Sequence, residues 1–186
     1  NYDFVSGFLT EARKAGKISW EDIEDRTRRP RDVQMWNDLT LFAETVRHAY
    51  RKNVWDYQRR YVVVWVEKDA LSALFEPILN EYGVTLVVGR GYNSWSIKHD
   101  QAERFQRERK PATILYFGDF DPSGEDIGRD LKNSFDFFGL RPKFIKVALT
   151  LEDVRKHDLP EALAKRTDSR TKGFIEKYGD TSVELD

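Results

Sequence analysis

Three carboxylates in this sequence have the spacing of a metal site. Asp119 and Asp121 flank Phe120 at the end of the apolar run ATILYF (112–117), just before Pro122, Ser123 and Gly124. Glu67 closes an earlier apolar run, YVVVWV (61–66). Residues i and i+2 of an extended segment face the same side, so the two aspartates can present both carboxylates to one point. Glu67 can face them from another strand end if the two strands are neighbours. Carboxylates gathered without compensation repel, and their protonation rises. A hard divalent cation removes that conflict. Mg²⁺ takes an octahedron of oxygens, usually one or two of them carboxylate, with water and substrate phosphate completing the shell. Such a cation polarises a phosphodiester, orients it and neutralises developing charge. Mg²⁺ or Mn²⁺ is therefore the expected cofactor. Glu67, Asp119 and Asp121 are the expected metal and catalytic acids, with Glu67 serving as a ligand or as a general acid or base. The same aspartates also suit turn and cap roles before a Pro-Ser-Gly turn.

Phosphate-binding candidates lie close by in the sequence. Lys68 follows Glu67 and is either a phosphate contact or a lysine paired with Asp69 or another acid. Gly89, Arg90, Gly91, Tyr92, Asn93 and Ser94 form a turn whose backbone N–H groups could cradle a phosphate, with Arg90 binding it bidentately. A plain strand-to-helix loop is the alternative. Trp95 either stacks on a base or plugs the core. Ser123 is the expected N-cap of the helix after the acid pair. Basic clusters at 26–31, 51–53, Arg59 and Arg60 read as a solvated face, or as a grip on a DNA backbone if they align. Asp168 is a candidate outer acid, with Lys165 and Arg170 near it in sequence.

The elements that must position these groups are legible from hydrophobic pattern. Residues 1–58 read as a helical arm: a helix through Phe4, Phe8 and Ala12 ending near Gly16, an acidic capping-box variant at Ser19 and Asp22, and an amphipathic helix over 32–52. From Tyr61 the texture changes to strands alternating with helices: strands at 61–68, 85–89, 112–119 and 142–149, helices at 70–82, 97–109 and 124–138. That alternation implies an α/β domain with a parallel, Rossmann-like sheet of about four strands flanked by helices. Ligands collect at the carboxyl ends of such strands, where Glu67, Asp119 and Asp121 fall. Residues 151–186 are a polar extension with short helices near 151–157 and 168–178.

Composition narrows the field. The 186 residues suit one domain, or one with a smaller attachment. The absence of cysteine excludes disulfides and thiolate metal sites. His48, His99 and His157 are far apart, which argues against a histidine zinc site. No apolar run approaches the ~18 residues of a membrane span, and no signal peptide is visible, so a cytoplasmic location is expected. With 31 basic and 32 acidic residues the net charge is -1, so any nucleic-acid contact must come from a local patch.

At VWVEKDAL (64–71) and YFGDFDPSGEDI (116–127) the chain resembles the Toprim domain of topoisomerases, bacterial primases and several nucleases. That family carries a glutamate after its first strand and Asp-x-Asp after its third. The form it most resembles is that of the topoisomerase VI A subunit and its meiotic double-strand-break relatives, with LTLEDVRKHDLP (149–160) and TDSR (167–170) similar to the segment after the last strand. Uncharacterised phage and mobile-element proteins are also similar. The resemblance implies a Toprim domain over 59–150 with 151–186 as its extension, and Mg²⁺-dependent cleavage of DNA by Glu67, Asp119 and Asp121. It also implies DNA contacts from Lys68, Arg90, Gly91 and Ser94. One departure stands out. Topoisomerase VI cuts with a tyrosine on a preceding winged-helix domain, which residues 1–58 are too short and too helical to contain. Tyr2 and Tyr50 sit in no matching motif. Three expectations follow: an upstream nucleophile-bearing domain in a longer protein, a nuclease using metal-activated water, or a non-catalytic metal-dependent DNA-binding module. Double-strand cutting needs two sites, which makes a homodimer plausible. Haloacid-dehalogenase-type phosphatases also use Asp-x-Asp, but on their first strand, and receiver domains carry the inverse pattern of acids.

Overall fold

The computed structural model describes residues 2–19, 22, 35–89, 95–160, 162 and 170–185. The chain divides into two units, Asn1–Arg51 and Lys52–Asp186.

The first unit contains helix α1 (Tyr2–Lys14) and helix α2 (Leu39–Ala49). The Ser19 N–H donates to the Asp22 carboxylate at 3.0 Å, one half of the expected capping box. Helix α2 starts at Leu39 rather than near residue 32. Asp38, held extended, accepts from the Leu41 N–H at 2.9 Å and so fixes the first turn.

The second unit begins with a short 3-10 turn (Val54–Tyr57). Trp55 in this turn donates to the carbonyls of Tyr82 and Gly83, so residues read from the sequence as the end of the helical arm pack with the sheet unit. Strands and helices then alternate: β1 (Tyr61–Val66), α3 (Ser72–Tyr82), β2 (Thr85–Val88), α4 (Trp95–Glu108), β3 (Ala112–Phe117), α5 (Pro122–Phe137) and β4 (Lys143–Ala148), followed by α6 (Leu151–His157) and α7 (Thr171–Tyr178). A second 3-10 turn (Asp69–Leu71) leads into α3. Gly83 ends α3 at φ +61, a left-handed turn that glycine adopts without steric cost. All strand pairs are parallel, in the order β2-β1-β3-β4. The expected α/β class and four-stranded parallel sheet flanked by helices are therefore present.

The continuous apolar runs have a physical cause. Alternate residues of a strand face opposite sides of its sheet, and the two central strands bury both. Tyr61, Val63 and Trp65 of β1 join Ile114 and Tyr116 of β3 in one cluster with Phe105 of α4 and Phe135 of α5. Val64 and Val66 of β1, with Leu115 and Phe117 of β3, join Leu79 of α3 in another. A third cluster forms beyond the carboxyl end of β3, where Phe120 meets Leu149, Val154, Phe174 and Val183. Phe120 and Val183 exchange two backbone hydrogen bonds of 2.8 and 2.9 Å, which draws the C-terminal segment against the loop that carries the aspartates. Among the described residues, no helix is long and apolar enough to cross a membrane.

Phe120 is 1% exposed and anchors the third cluster. Phe120→Ala is expected to cost about 3–5 kcal/mol in urea unfolding of the chain. A loss below about 1 kcal/mol would show that the loop does not depend on that burial.

Candidate functional site

Strands β1 and β3 are neighbours, with Val66 opposite Phe117. The Glu67 N–H extends the ladder by donating to the Phe117 carbonyl at 2.9 Å. Glu67 is thereby brought beside the segment that follows β3, as the adjacency condition required. Its Oε2 accepts from the Asp119 backbone N–H and from the Tyr116 hydroxyl, both at 3.0 Å. Gly118 makes this possible. A Cβ at that position would overlap the Tyr116 hydroxyl and lie 2.5 Å from Glu67 Oε2. Glycine is the side chain that fits between the strand and the acids.

Asp119 is 7% exposed. Its Oδ1 accepts from the Leu185 backbone N–H at 2.8 Å, and the Lys68 ammonium lies 3.3 Å from the same oxygen. Its main-chain carbonyl accepts from Lys146 at 2.8 Å. Asp121 is the N-cap of α5: its Oδ1 accepts from the Gly124 N–H at 2.6 Å, with Pro122 in the first turn. The expectation that Ser123 caps this helix is corrected. Proline is preorganised for the first helical position and has no N–H to leave unpaired, so the last extended residue is the one before it, Asp121. Phe120 points into the third cluster between the two acids.

Electrostatics couples the three. The Glu67 carboxyl is held above its ordinary range, first by burial and then by the charges of Asp119 and Asp121. The two hydrogen bonds it accepts work in the opposite direction. The Tyr116 hydroxyl is pushed up as well, by burial foremost and by the neighbouring Glu67 charge. An added cation would oppose the repulsion among these charges.

Among the described residues, no three acids form a group that could hold a metal ion. The structure does bring Glu67 to the Asp119 amide. The donor chemistry, carboxylate oxygen alone, is what Mg²⁺ takes, and Mg²⁺ needs only one or two carboxylates. A cationic group, the Lys68 ammonium, already sits against Asp119. Asp119 and Asp121 are the residues that would hold Mg²⁺ if the loop bound it, and here their carboxylates are bonded to the Leu185 and Gly124 amides and to Lys68.

The remaining candidates divide. Lys68 pairs with Asp119 at 3.3 Å and with Glu184 at 3.4 Å. Arg90, Gly91 and Ser94 lie outside the described residues, as do Lys165, Asp168 and the basic cluster at 26–31. Arg170 reaches Asp126 at 3.4 Å. Trp95 is not a core plug. It is exposed and packs edge-on against Phe137 and Phe138. Sequence reasoning missed Tyr116, Lys146, Glu125 and Tyr178. The signal for Lys146 was available, because a lysine inside the apolar run KFIKVA asks for a buried partner. No family model and no curated protein sequence matches the chain.

Two outcomes are expected. Gly118→Ala should destabilise the chain by about 1–3 kcal/mol through overpacking, measured by urea unfolding, and a neutral effect would contradict the close approach. A raised carboxyl stays protonated in the folded chain where the unfolded chain ionises it, so its contribution to stability is lost as pH rises from about 4.5 through the folded value. Glu67→Gln should therefore melt above wild type at pH 8, with the gap narrowing toward pH 4.5. A gap independent of pH would contradict the raised carboxyl.

Proposed function

We propose that this chain is a Toprim-type module that cleaves DNA phosphodiesters with Mg²⁺, similar to the corresponding part of the topoisomerase VI A subunit. The observation that carries the reading is the contact between neighbouring strand ends. Glu67 after β1 accepts from the amide of Asp119 after β3, at the carboxyl edge of a parallel sheet. That edge is where α/β sheets bind ligands, and the order of acids along the chain is the Toprim order.

Each residue has a distinct task in this account. Asp119 and Asp121 hold Mg²⁺. Bound there, Mg²⁺ would polarise the phosphodiester and neutralise charge developing on it. Glu67 supplies the proton that the departing sugar oxygen needs. The Asp119 N–H and the Tyr116 hydroxyl fix the Glu67 oxygen in place. Lys68 stands beside Asp119 for a phosphate oxygen. The attacking oxygen belongs to a tyrosine on an upstream domain or to water, and a double-strand cut would require two copies of the site.

A second reading has its own observation. Asp121 caps α5, and Asp119 Oδ1 is bonded to the Leu185 amide. Both aspartates thus have structural work, which speaks against catalysis by them and for the alternative of a non-catalytic, metal-dependent DNA-binding module.

A supercoiled-plasmid assay with Mg²⁺ separates the two. Nicking by the chain, lost on Asp119→Ala plus Asp121→Ala and reduced roughly 10²–10⁴-fold by Glu67→Gln, is the result expected of a proton-transferring acid. Plasmid binding without nicking, in this chain and in one extended upstream, would leave only the second reading.

A further inference from the structure

We propose that Lys146 is a positioning residue for the acid loop, holding the Asp119 carbonyl so that the adjoining peptide keeps its amide on Glu67. This rests on the reading of the loop as a metal-holding site. Asp119 is gripped on both sides: its N–H is on Glu67 Oε2 at 3.0 Å and its C=O is on Lys146 Nζ at 2.8 Å. The Leu149 N–H on the Gly118 carbonyl at 2.7 Å and the Phe120 N–H on the Val183 carbonyl at 2.8 Å hold the two peptide units on either side of the Asp119 Cα, and Lys146 adds the tether that ties the second of them to β4 and α5.

The sheet delivers Lys146 to this point. Lys146 of β4 pairs with Tyr116 of β3, and the register shifts at the next step, where Phe117 meets Ala148. Such irregularities re-aim side chains and gather beside functional sites. The ammonium lies 5.9 Å from the ring centres of both Tyr116 and Phe120, the residue that orients Glu67 and the residue between the two aspartates. Its charge is balanced by Glu125 in the first turn of α5, at 2.7 Å. Glu125 in turn accepts from the Tyr178 hydroxyl of α7 at 2.9 Å. The lysine is largely buried, so this is a fixed network and not a mobile surface pair. One ammonium thus links β4, the acid loop and α5, with α7 joined through Glu125.

The test uses the whole chain and Mn²⁺ as probe. Mn²⁺ affinity is read by calorimetry, and backbone amide exchange is read at Asp119 and Phe120. Lys146→Met should weaken Mn²⁺ binding about 10–100-fold, the usual effect of removing a group that orients a metal ligand, and should speed exchange at both amides. Lys146→Arg, which keeps a charged donor, should restore most of the affinity. Tyr178→Phe loosens only the far side of Glu125, so it should lower the melting temperature and leave affinity and exchange as in wild type. Should Lys146→Met not fold, Lys146→Gln carries the same expectations. The inference is overturned if the Lys146 variant binds Mn²⁺ and exchanges like wild type, or if Tyr178→Phe loses affinity equally, since that would mark a role in stability alone. Absence of Mn²⁺ binding by wild type would sink the metal-site reading, and the exchange rates would then decide by themselves whether Lys146 fixes the loop.

Discussion

The hydrogen bond from the Asp119 amide to Glu67 depends on the pairing of β1 with β3, and the rest of the site depends on that bond. Because the two strands are parallel neighbours, their carboxyl ends stop side by side. The next residue on each chain must then deal with the other's. Gly118 supplies the room, Tyr116 supplies a second donor, and the burial that follows pushes the Glu67 carboxyl toward its protonated form. A parallel sheet thus creates the conflict among the acids, and in the proposed function a divalent cation relieves it.

The C-terminal extension is part of this arrangement. The Phe120 ring gains by leaving water, and α6, α7 and Val183 provide its apolar partners. Burying Phe120 holds the loop extended, which is the conformation that leaves Asp121 at the N-cap of α5. The amide of Leu185 meets Asp119, and Glu184 meets Lys68. The loop is therefore clamped from the sheet by Glu67 and Lys146, and from the extension by Val183 and Leu185. Such over-determination is what a preorganised site requires, since groups that move on binding lose their advantage.

Much of the fold was legible in the sequence. A strand buried on both faces has no polar positions to spare, and YVVVWV and ATILYF carried that signature. The three acids at strand ends were also legible, because the sheet edge is the one place where such runs meet acids. What failed did so for local reasons. Ser and Asp cap helices about equally well, and Pro122 decides between them by fixing the helix start one residue after Asp121. The amphipathic pattern ahead of α2 runs on past the point where the backbone stops, because Asp38 holds the cap. Tyr116 read as one more apolar strand residue, since nothing in a strand pattern says that a hydroxyl will meet an acid 49 positions earlier. The convergence of Lys146, Glu125 and Tyr178 is likewise long-range and invisible to any window of sequence.

The central claim is that the Asp119 and Asp121 loop holds a divalent cation. Anomalous diffraction from crystals of the chain grown with Mn²⁺ tests it most directly. The account predicts a peak within bonding distance of carboxylate oxygens of Asp119 and Asp121, with Glu67 next to it. A well-ordered loop in those crystals with no peak there, its aspartates still bonded only to Leu185, Lys68 and Gly124, would contradict the account and leave the acid pair as a turn and a helix cap.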